Sequence, residues 1–329
     1  MRDPLEHRIP ICSVPTPVRS LDRVRRNLWI KDEGATHPAY GGNKVRKLEF
    51  LLHGAGERVV TLGAAGSHHV LATAVHASRL GHRVEAMAFP RPETTHAREV
   101  LRAATARAAI HPAPDFEAAM PAFESLSRNA TSFPAGGSSA IGTLGWVRAG
   151  LELAGQVRRG DLPAPRRVFC PLGTAGTVLG AAIGMRLGGL AARLVAIRVV
   201  PAEWLTLEKI RELGDEVIAR LGLRDVAAND LDIAFDDDRL GGGYGVPTPE
   251  GVAAIERGCA AGLDLEPTYT GKTFGAVLAA DPDGGPDLYW QTHSTMTLAP
   301  LLAEAPPLSP ELEAMLEPME RGGDGEPVR

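Results

Sequence analysis

Tyr40-Gly41-Gly42-Asn43-Lys44-Val45-Arg46-Lys47-Leu48-Glu49-Phe50 sets two glycines, an asparagine and three cations at the start of an apolar helical pattern. Val45, Leu48 and Leu52 fall at i, i+3 and i+7, so one face of this helix is buried. Lys44 and Lys47 are three apart and lie close together on its surface. A lysine at a glycine-flanked helix start, beside a second cation, suits covalent chemistry with a carbonyl. The neighbouring charge disfavours protonation of Lys44, and the neutral amine is the form that attacks. Standing alone, such a run reads as a solvated basic helix start.

Composition sets the frame. The 329 residues suffice for two domains, and 44% hydrophobic residues supply a sizeable core. Aromatics are only 5% while Ala and Gly are abundant, which suits helices packed closely on sheets. The net charge of −5 includes no basic block, so neither nucleic acid nor an anionic membrane is an expected partner. No apolar run reaches membrane-span length, and Met1-Arg2-Asp3-Pro4-Leu5-Glu6-His7 lacks a signal-peptide core. Cys12, Cys170 and Cys259 are far apart and odd in number, as expected of reduced thiols in a cytoplasmic protein.

Strand-like runs alternate with helical patterns, which argues for an α/β fold with mostly parallel sheets. Strands are predicted at 28–30, 59–62, 84–89 and 109–110, with helices over 70–80, 95–105 and 116–126 between and after them. Pro134-Ala135-Gly136-Gly137-Ser138-Ser139 breaks this block, and a long helix begins near Ile141. Strands at 167–170, 194–199 and 231–235 then alternate with helices at 176–187 and 204–221. We therefore expect a small domain over 56–150 and a large domain combining 1–55 with 151–305. The tail from 306 to 329 is rich in Pro, Glu and Gly and is expected to be flexible, above all over 321–327.

Three glycine-containing turns carry candidate chemistry. Leu62-Gly63-Ala64-Ala65-Gly66-Ser67-His68-His69 joins a strand to a helix, whose free amides suit a substrate carboxylate. Ser67 also reads as a plain N-cap. His68 and His69 are adjacent and point in different directions, and no further ligand has metal-like spacing, so no metal site is expected. Pro171-Leu172-Gly173-Thr174-Ala175-Gly176-Thr177 follows a strand and opens a helix, and its amides can ring a phosphate. It lacks the lysine of a P-loop and the spacing of a dinucleotide fingerprint. Tyr244 and Tyr269, two of only four tyrosines, lie in Gly/Pro-flanked loops. Asp287-Leu288-Tyr289-Trp290-Gln291-Thr292-His293-Ser294 reads as a strand ending in polar residues.

Taken in order, these segments resemble the D-cysteine desulfhydrase and 1-aminocyclopropane-1-carboxylate (ACC) deaminase family. These are pyridoxal-phosphate enzymes of the tryptophan-synthase-β-like fold (fold type II), two open, mostly parallel sheets flanked by helices. The resemblance implies pyridoxal 5'-phosphate in the cleft between domains. Lys44 would form its Schiff base, while Lys47 and the loop Gly173, Thr174, Ala175, Gly176 and Thr177 would hold its phosphate. Thr292 would face the ring nitrogen, and His68 stands where the family has the Asn that bonds the ring hydroxyl oxygen. Ser67, Tyr244 and Tyr269 would act on the substrate. Thr270 stands where ring-opening deaminases carry Glu, which implies β-elimination instead. His68, His293 and Ser294 depart from the family pattern. The expected protein is a homodimeric lyase that takes a β-substituent from a small amino acid and releases a 2-oxo acid and ammonia. A β-replacement synthase, a racemase and a non-catalytic cofactor-binding protein are the alternatives.

Overall fold

The computed structural model describes residues 3–318. The chain opens with β1 (Val18–Ser20), β2 (Leu28–Asp32) and α1 (Asn43–Leu51). It continues through β3 (Arg58–Ala64), α2 (His68–Arg79), β4 (Arg83–Phe89), β5 (Arg91–Pro92), α3 (Thr95–Thr105), β6 (Ala109–Pro112), α4 (Phe116–Leu126) and β7 (Thr131–Phe133). Next come α5 (Ala140–Arg159), β8 (Arg167–Leu172), α6 (Gly176–Leu187), β9 (Arg193–Arg198), α7 (Leu207–Arg220) and β10 (Ile233–Asp236). The chain ends with α8 (Pro249–Ala260), α9 (Thr270–Ala279), β11 (Asp287–Gln291), α10 (Ala299–Glu304), α11 (Pro310–Glu313) and β12 (Leu316–Glu317).

Two main sheets result. One has the order β1-β2-β11-β8-β9-β10, and the other β6-β4-β3-β7. All neighbours in both are parallel except β1, which runs antiparallel to β2 along the register Val18 to Lys31. The central strands are buried on both faces, so they read as unbroken apolar runs rather than alternating ones. Short polar caps start many of the helices. Ser67, Thr94, Asp115, Ser139, Thr206 and Thr248 each accept a bond from a first-turn amide, a contribution of about 1 kcal/mol apiece.

Helices α5 and α6 lie in close contact because glycines line their seam. A Cβ on Gly184 would stand 2.1 Å from the Val147 carbonyl oxygen, and one on Gly180 would stand 2.5 Å from Trp146 Cβ. This abundance of small residues is what the sparse aromatics had implied. Helix α1 packs on α5 and α2 and is buried all round, from Val45 to Leu51. Its buried surface is therefore wider than the single face that Val45, Leu48 and Leu52 define.

The tail differs from expectation as far as it is described. Leu312 packs against Met315 and Leu316, which are buried with Ala97 and Leu101 of α3. The strand β12 pairs in parallel with β5, Leu316 opposite Arg91. Apolar residues spaced among the prolines give this segment something to bury, which composition alone conceals. The flexible stretch expected over 321–327 lies outside the described residues.

Candidate active site

A cavity of about 360 Å3 opens at the carboxyl ends of β3 and β8. This is where ligands bind in open parallel sheets. Lys44, Ser67, His68, Gly173, Thr174, Ala175, Thr177, Tyr244, Tyr269 and Thr292 all line it. Residues far apart in sequence thus meet in one cleft.

Lys44 sits at the start of α1 because the preceding backbone turns tightly. Gly42 has φ +91°, and a Cβ there would meet the Thr292 carbonyl oxygen at 3.0 Å. A Cβ on Gly41 would overlap the Gly34 carbonyl oxygen at 1.9 Å, so only glycine fits either position. Burial strips water from the Lys44 ammonium and brings its pKa down to about 8. The neighbour effect expected from the sequence acts the other way round. Lys47 is the lysine pushed well below its ordinary value, first by its own burial and then by the charge of Lys44. Lys47 lies deeper, with no exposed surface, whereas Lys44 opens toward the cleft.

Lys47 Nζ donates to the Gly136 carbonyl at 2.9 Å and to Ser138 Oγ at 2.8 Å. Ser138 Oγ also meets Thr174 Oγ1 at 2.7 Å and accepts from the Gly176 amide at 3.3 Å. Asn43 Nδ2 reaches Thr177 Oγ1 at 3.2 Å. The loop is bent at Ala175, whose φ of +63° is unusual for a side-chain-bearing residue and turns successive amides inward. A Cβ on Gly176 would stand 2.8 Å from Ser138 Oγ, 2.8 Å from Thr143 Oγ1 and 3.0 Å from Lys47 Nζ. Thr143 Oγ1 is buried without a partner among the described residues. Hydroxyls, amides and the Lys47 amine thus converge on a space that wants an anion.

Ser67 caps α2, accepting from the Val70 amide at 3.4 Å. His68 beside it meets Tyr40 Oη through Nδ1 at 2.5 Å and His96 Nε2 through Nε2 at 3.0 Å. Burial, then the nearby His293 and His96, hold His68 well below its ordinary value, so its ring is neutral. His69 is buried at the cavity wall, its Nε2 meeting Thr61 Oγ1 at 3.0 Å.

Tyr244 and Tyr269 share a hydroxyl–hydroxyl bond of 2.8 Å. Burial, then Tyr244, pushes the Tyr269 hydroxyl well up, so it stays protonated. Each tyrosine is fixed from behind. Lys272 Nζ holds the turn before Tyr244 through the carbonyls of Leu240, at 2.6 Å, and Gly243, at 3.2 Å. The Glu266 carboxylate accepts from the amides of Thr268, Tyr269 and Thr270, each at 2.8 Å. Thr292 follows β11, and its carbonyl accepts from the Asn43 amide at 2.9 Å. On the far wall, Trp204 stacks on Phe116 with centroids 5.6 Å apart and approaches Tyr244 at 5.7 Å.

Several of these residues carry no motif of their own. Ser138 sits in a break between elements, Glu266 begins a loop, and His96 lies inside α3 with nothing local to mark it. A helix-start glycine pair could have flagged Gly136 and Gly137 as a backbone approach, since a Cβ on Gly136 would meet Thr174 Oγ1 at 2.3 Å.

The donor set fits pyridoxal phosphate: a lysine of lowered proton affinity stands in one cleft with an anion cradle that leaves Thr143 without a partner. Two parallel sheets sharing such a cleft are the mark of fold type II pyridoxal-phosphate enzymes. A family model described as pyridoxal-phosphate dependent enzyme matches residues 12–288. The nocardicin C-9' epimerase of Nocardia uniformis subsp. tsuyamanensis is 33% identical over 318 residues, covering 91% of this chain and 96% of that protein. The D-cysteine desulfhydrase of Klebsiella pneumoniae subsp. pneumoniae is 30% identical over 324 residues, covering 88% and 95%. Among solved structures, an ACC deaminase homologue has a TM-score of 0.75 at 25% identity, covering 90% of this chain and 96% of its own. A threonine deaminase from Solanum lycopersicum, 14% identical with a TM-score of 0.61, covers 92% of this chain and 85% of its own and shares the fold. The chain belongs to the pyridoxal-phosphate dependent enzymes, in the family that resembles D-cysteine desulfhydrase and ACC deaminase.

Proposed function

We propose that this enzyme is a deaminating lyase that removes a β-substituent from a small amino acid, giving a 2-oxo acid and ammonia. The observation that carries the reading is the Tyr244–Tyr269 hydroxyl pair, 2.8 Å apart, in the same cleft as Lys44. Bound pyridoxal phosphate supplies an electron sink that lets a proton leave the α-carbon and a substituent leave the β-carbon. Lys44 would hold the cofactor through its amine and, once freed from it, accept the α-proton. Its lowered proton affinity, about 8, keeps part of it neutral at ordinary pH. Tyr269, kept protonated by burial, would donate to the departing group, with Tyr244 relaying a proton behind it. The α2 start at Ser67 would receive the substrate carboxylate. The enamine left after elimination hydrolyses in water.

Lys47, Ser138, Thr174, Thr177 and the Gly176 amide would hold the phosphate, with Thr292 at the ring nitrogen. His68, expected at the ring hydroxyl oxygen, has both ring nitrogens engaged by Tyr40 and His96 and is left out of the cofactor's contacts. In this reading residues 56–150 form a smaller domain that closes on substrate, against a larger one built from 1–55 and 151–305. Thr270 supports elimination over ring opening. Its hydroxyl lies 3.2 Å from Glu266 Oε1 and is buried, so a carboxylate at this position would stand against an existing one. The test is 2-oxo acid and ammonia release from D- and L-cysteine and other β-substituted amino acids. One relative is an epimerase, so solvent deuterium in recovered substrate must be measured alongside. Deuterium uptake with no 2-oxo acid from any substrate would replace elimination by isomerisation.

A further inference from the structure

We propose that His68, His96 and His293 form a three-histidine site for a divalent transition-metal ion of the zinc class at the edge of the cleft. The three rings come from the start of α2, the start of α3 and the chain after β11. One ring nitrogen from each lies within 4.8 Å of the other two. The rings pack with centroids 5.0 Å apart for His68 and His96, 4.9 Å for His68 and His293, and 5.2 Å for His96 and His293. Ligands about 2 Å from a tetrahedral zinc ion stand roughly 3.3 Å from one another. The two Nε2 atoms of His68 and His96, 3.0 Å apart, are close to that spacing. The third side, to His293, is within 4.8 Å and would have to shorten for ligation.

The contact between their Nε2 atoms accounts for His68 and His96 but not for the third ring. His293 Nδ1 is buried and has no partner among the described residues, an arrangement that is costly unless something satisfies it. The surroundings suit a cation. Tyr40 Oη meets His68 Nδ1 at 2.5 Å, the outer contact that fixes the orientation of a ligating imidazole. The buried Glu266 carboxylate interacts with both His293 and His96 and supplies negative charge beside them. Three imidazoles leave one position of a tetrahedral ion open, as in catalytic rather than structural zinc sites. His68 and His293 line the cleft, so that position would go to water or to a donor atom of the cleft's ligand. The site does not depend on the lyase reading, and metal binding and cofactor absorbance are measured separately.

Co2+ is the probe, because its visible d–d bands report tetrahedral nitrogen ligation. Full-length holoenzyme titrated with Co2+ is expected to bind one equivalent and develop these bands, with an accompanying rise in thermal stability. His96→Gln and His293→Gln, which keep side-chain polarity, are each expected to weaken binding more than tenfold. Tyr40→Phe leaves all three ligands in place and is expected to weaken it by roughly tenfold. Circular dichroism and cofactor content establish that each variant is folded. The proposal is overturned if no band appears with equimolar metal, or if the band survives in both His→Gln variants. It is equally overturned if Cys259→Ser abolishes the band, which would assign the ion to that exposed thiol.

Discussion

Lys47 Nζ and Ser138 Oγ, 2.8 Å apart, tie the second lysine of α1 to the chain break before α5. The bond fixes a buried amine, which a bound phosphate would keep protonated, at the mouth of the glycine loop. Replacing it by Lys47→Met removes a charge-assisted contact to any bound phosphate, worth about 1.5–3 kcal/mol. The cofactor dissociation constant is therefore expected to rise by roughly tenfold to a hundredfold. Ser138→Ala should have a smaller effect, because the amides and Lys47 remain. Cofactor retained after dialysis, followed by absorbance, measures both. Equal retention by Lys47→Met and the unaltered protein would remove Lys47 from the cradle.

Lys44 makes a prediction in pH. Burial brings it down to about 8, and only the neutral amine attacks a carbonyl. For protein stripped of cofactor, the rate of covalent capture of added pyridoxal phosphate should rise as pH increases through about 8 and then level off. An ordinary lysine would keep rising toward pH ~10.4. Lys44→Ala should abolish capture while leaving the fold intact. A profile that is flat from pH 6 to pH 9 would contradict a titrating Lys44.

The two tyrosine hydroxyls should behave as one unit. Tyr269→Phe removes the hydroxyl that donates, and a loss in kcat of about 10²–10⁴ is expected of a lost acid–base group. Tyr244→Phe leaves Tyr269 without its 2.8 Å partner and should cost less. The double variant should be no slower than Tyr269→Phe alone, because the relay is already broken. Steady-state rates of 2-oxo acid release decide it. Fully additive losses would mean that the two hydroxyls act independently.

The alternation of apolar runs and helical patterns is local, and it survives into both sheets from β3 onward. Gly41 and Gly42 are legible for the same reason, since a tight backbone approach leaves room for nothing larger. The short β5 and β12 are not legible, because a two-residue strand has no periodicity and exists only through its partner. His96 and Glu266 are hidden in another way. Each acts through neighbours that are distant in sequence, and each sits among residues that explain it as ordinary helix or loop. Spacing along the chain offered no metal ligands, yet the fold brings His68, His96 and His293 together. The burial of Lys47 is also a tertiary property. A charge count for α1 puts its cations in water, whereas the structure encloses Arg46 and Lys47 completely.

Behind the cleft, Glu152 of α5 holds two buried cations. Its Oε1 accepts from Lys31 Nζ at 2.6 Å and from Arg46 at 3.0 Å, and Arg46 in turn bonds Glu33 at 2.5 Å. Trp290 Nε1 donates to the same Glu33 at 3.0 Å, so the network joins α1, β2, β11 and α5. Burial by itself would raise the Glu152 carboxyl, but Arg46 and Lys31 outweigh it and bring its pKa down to about 2. An unfolded glutamate titrates near ~4.3. Since the folded value is the lower one, the contribution is complete above about pH 4.3 and disappears as pH falls through about 2. Glu152→Gln leaves Lys31 and Arg46 buried with too little negative charge, and a loss of about 3 kcal/mol is expected at pH 7. Urea unfolding should give that difference at pH 7 and a progressively smaller one as pH is lowered from 4 toward 2. Because Arg46 lies between Lys44 and Lys47 on α1, cofactor retention should fall with the same variant. A difference under about 0.5 kcal/mol at pH 7, or one that does not change with acidification, would mean that Glu152 is not the anchor of this helix.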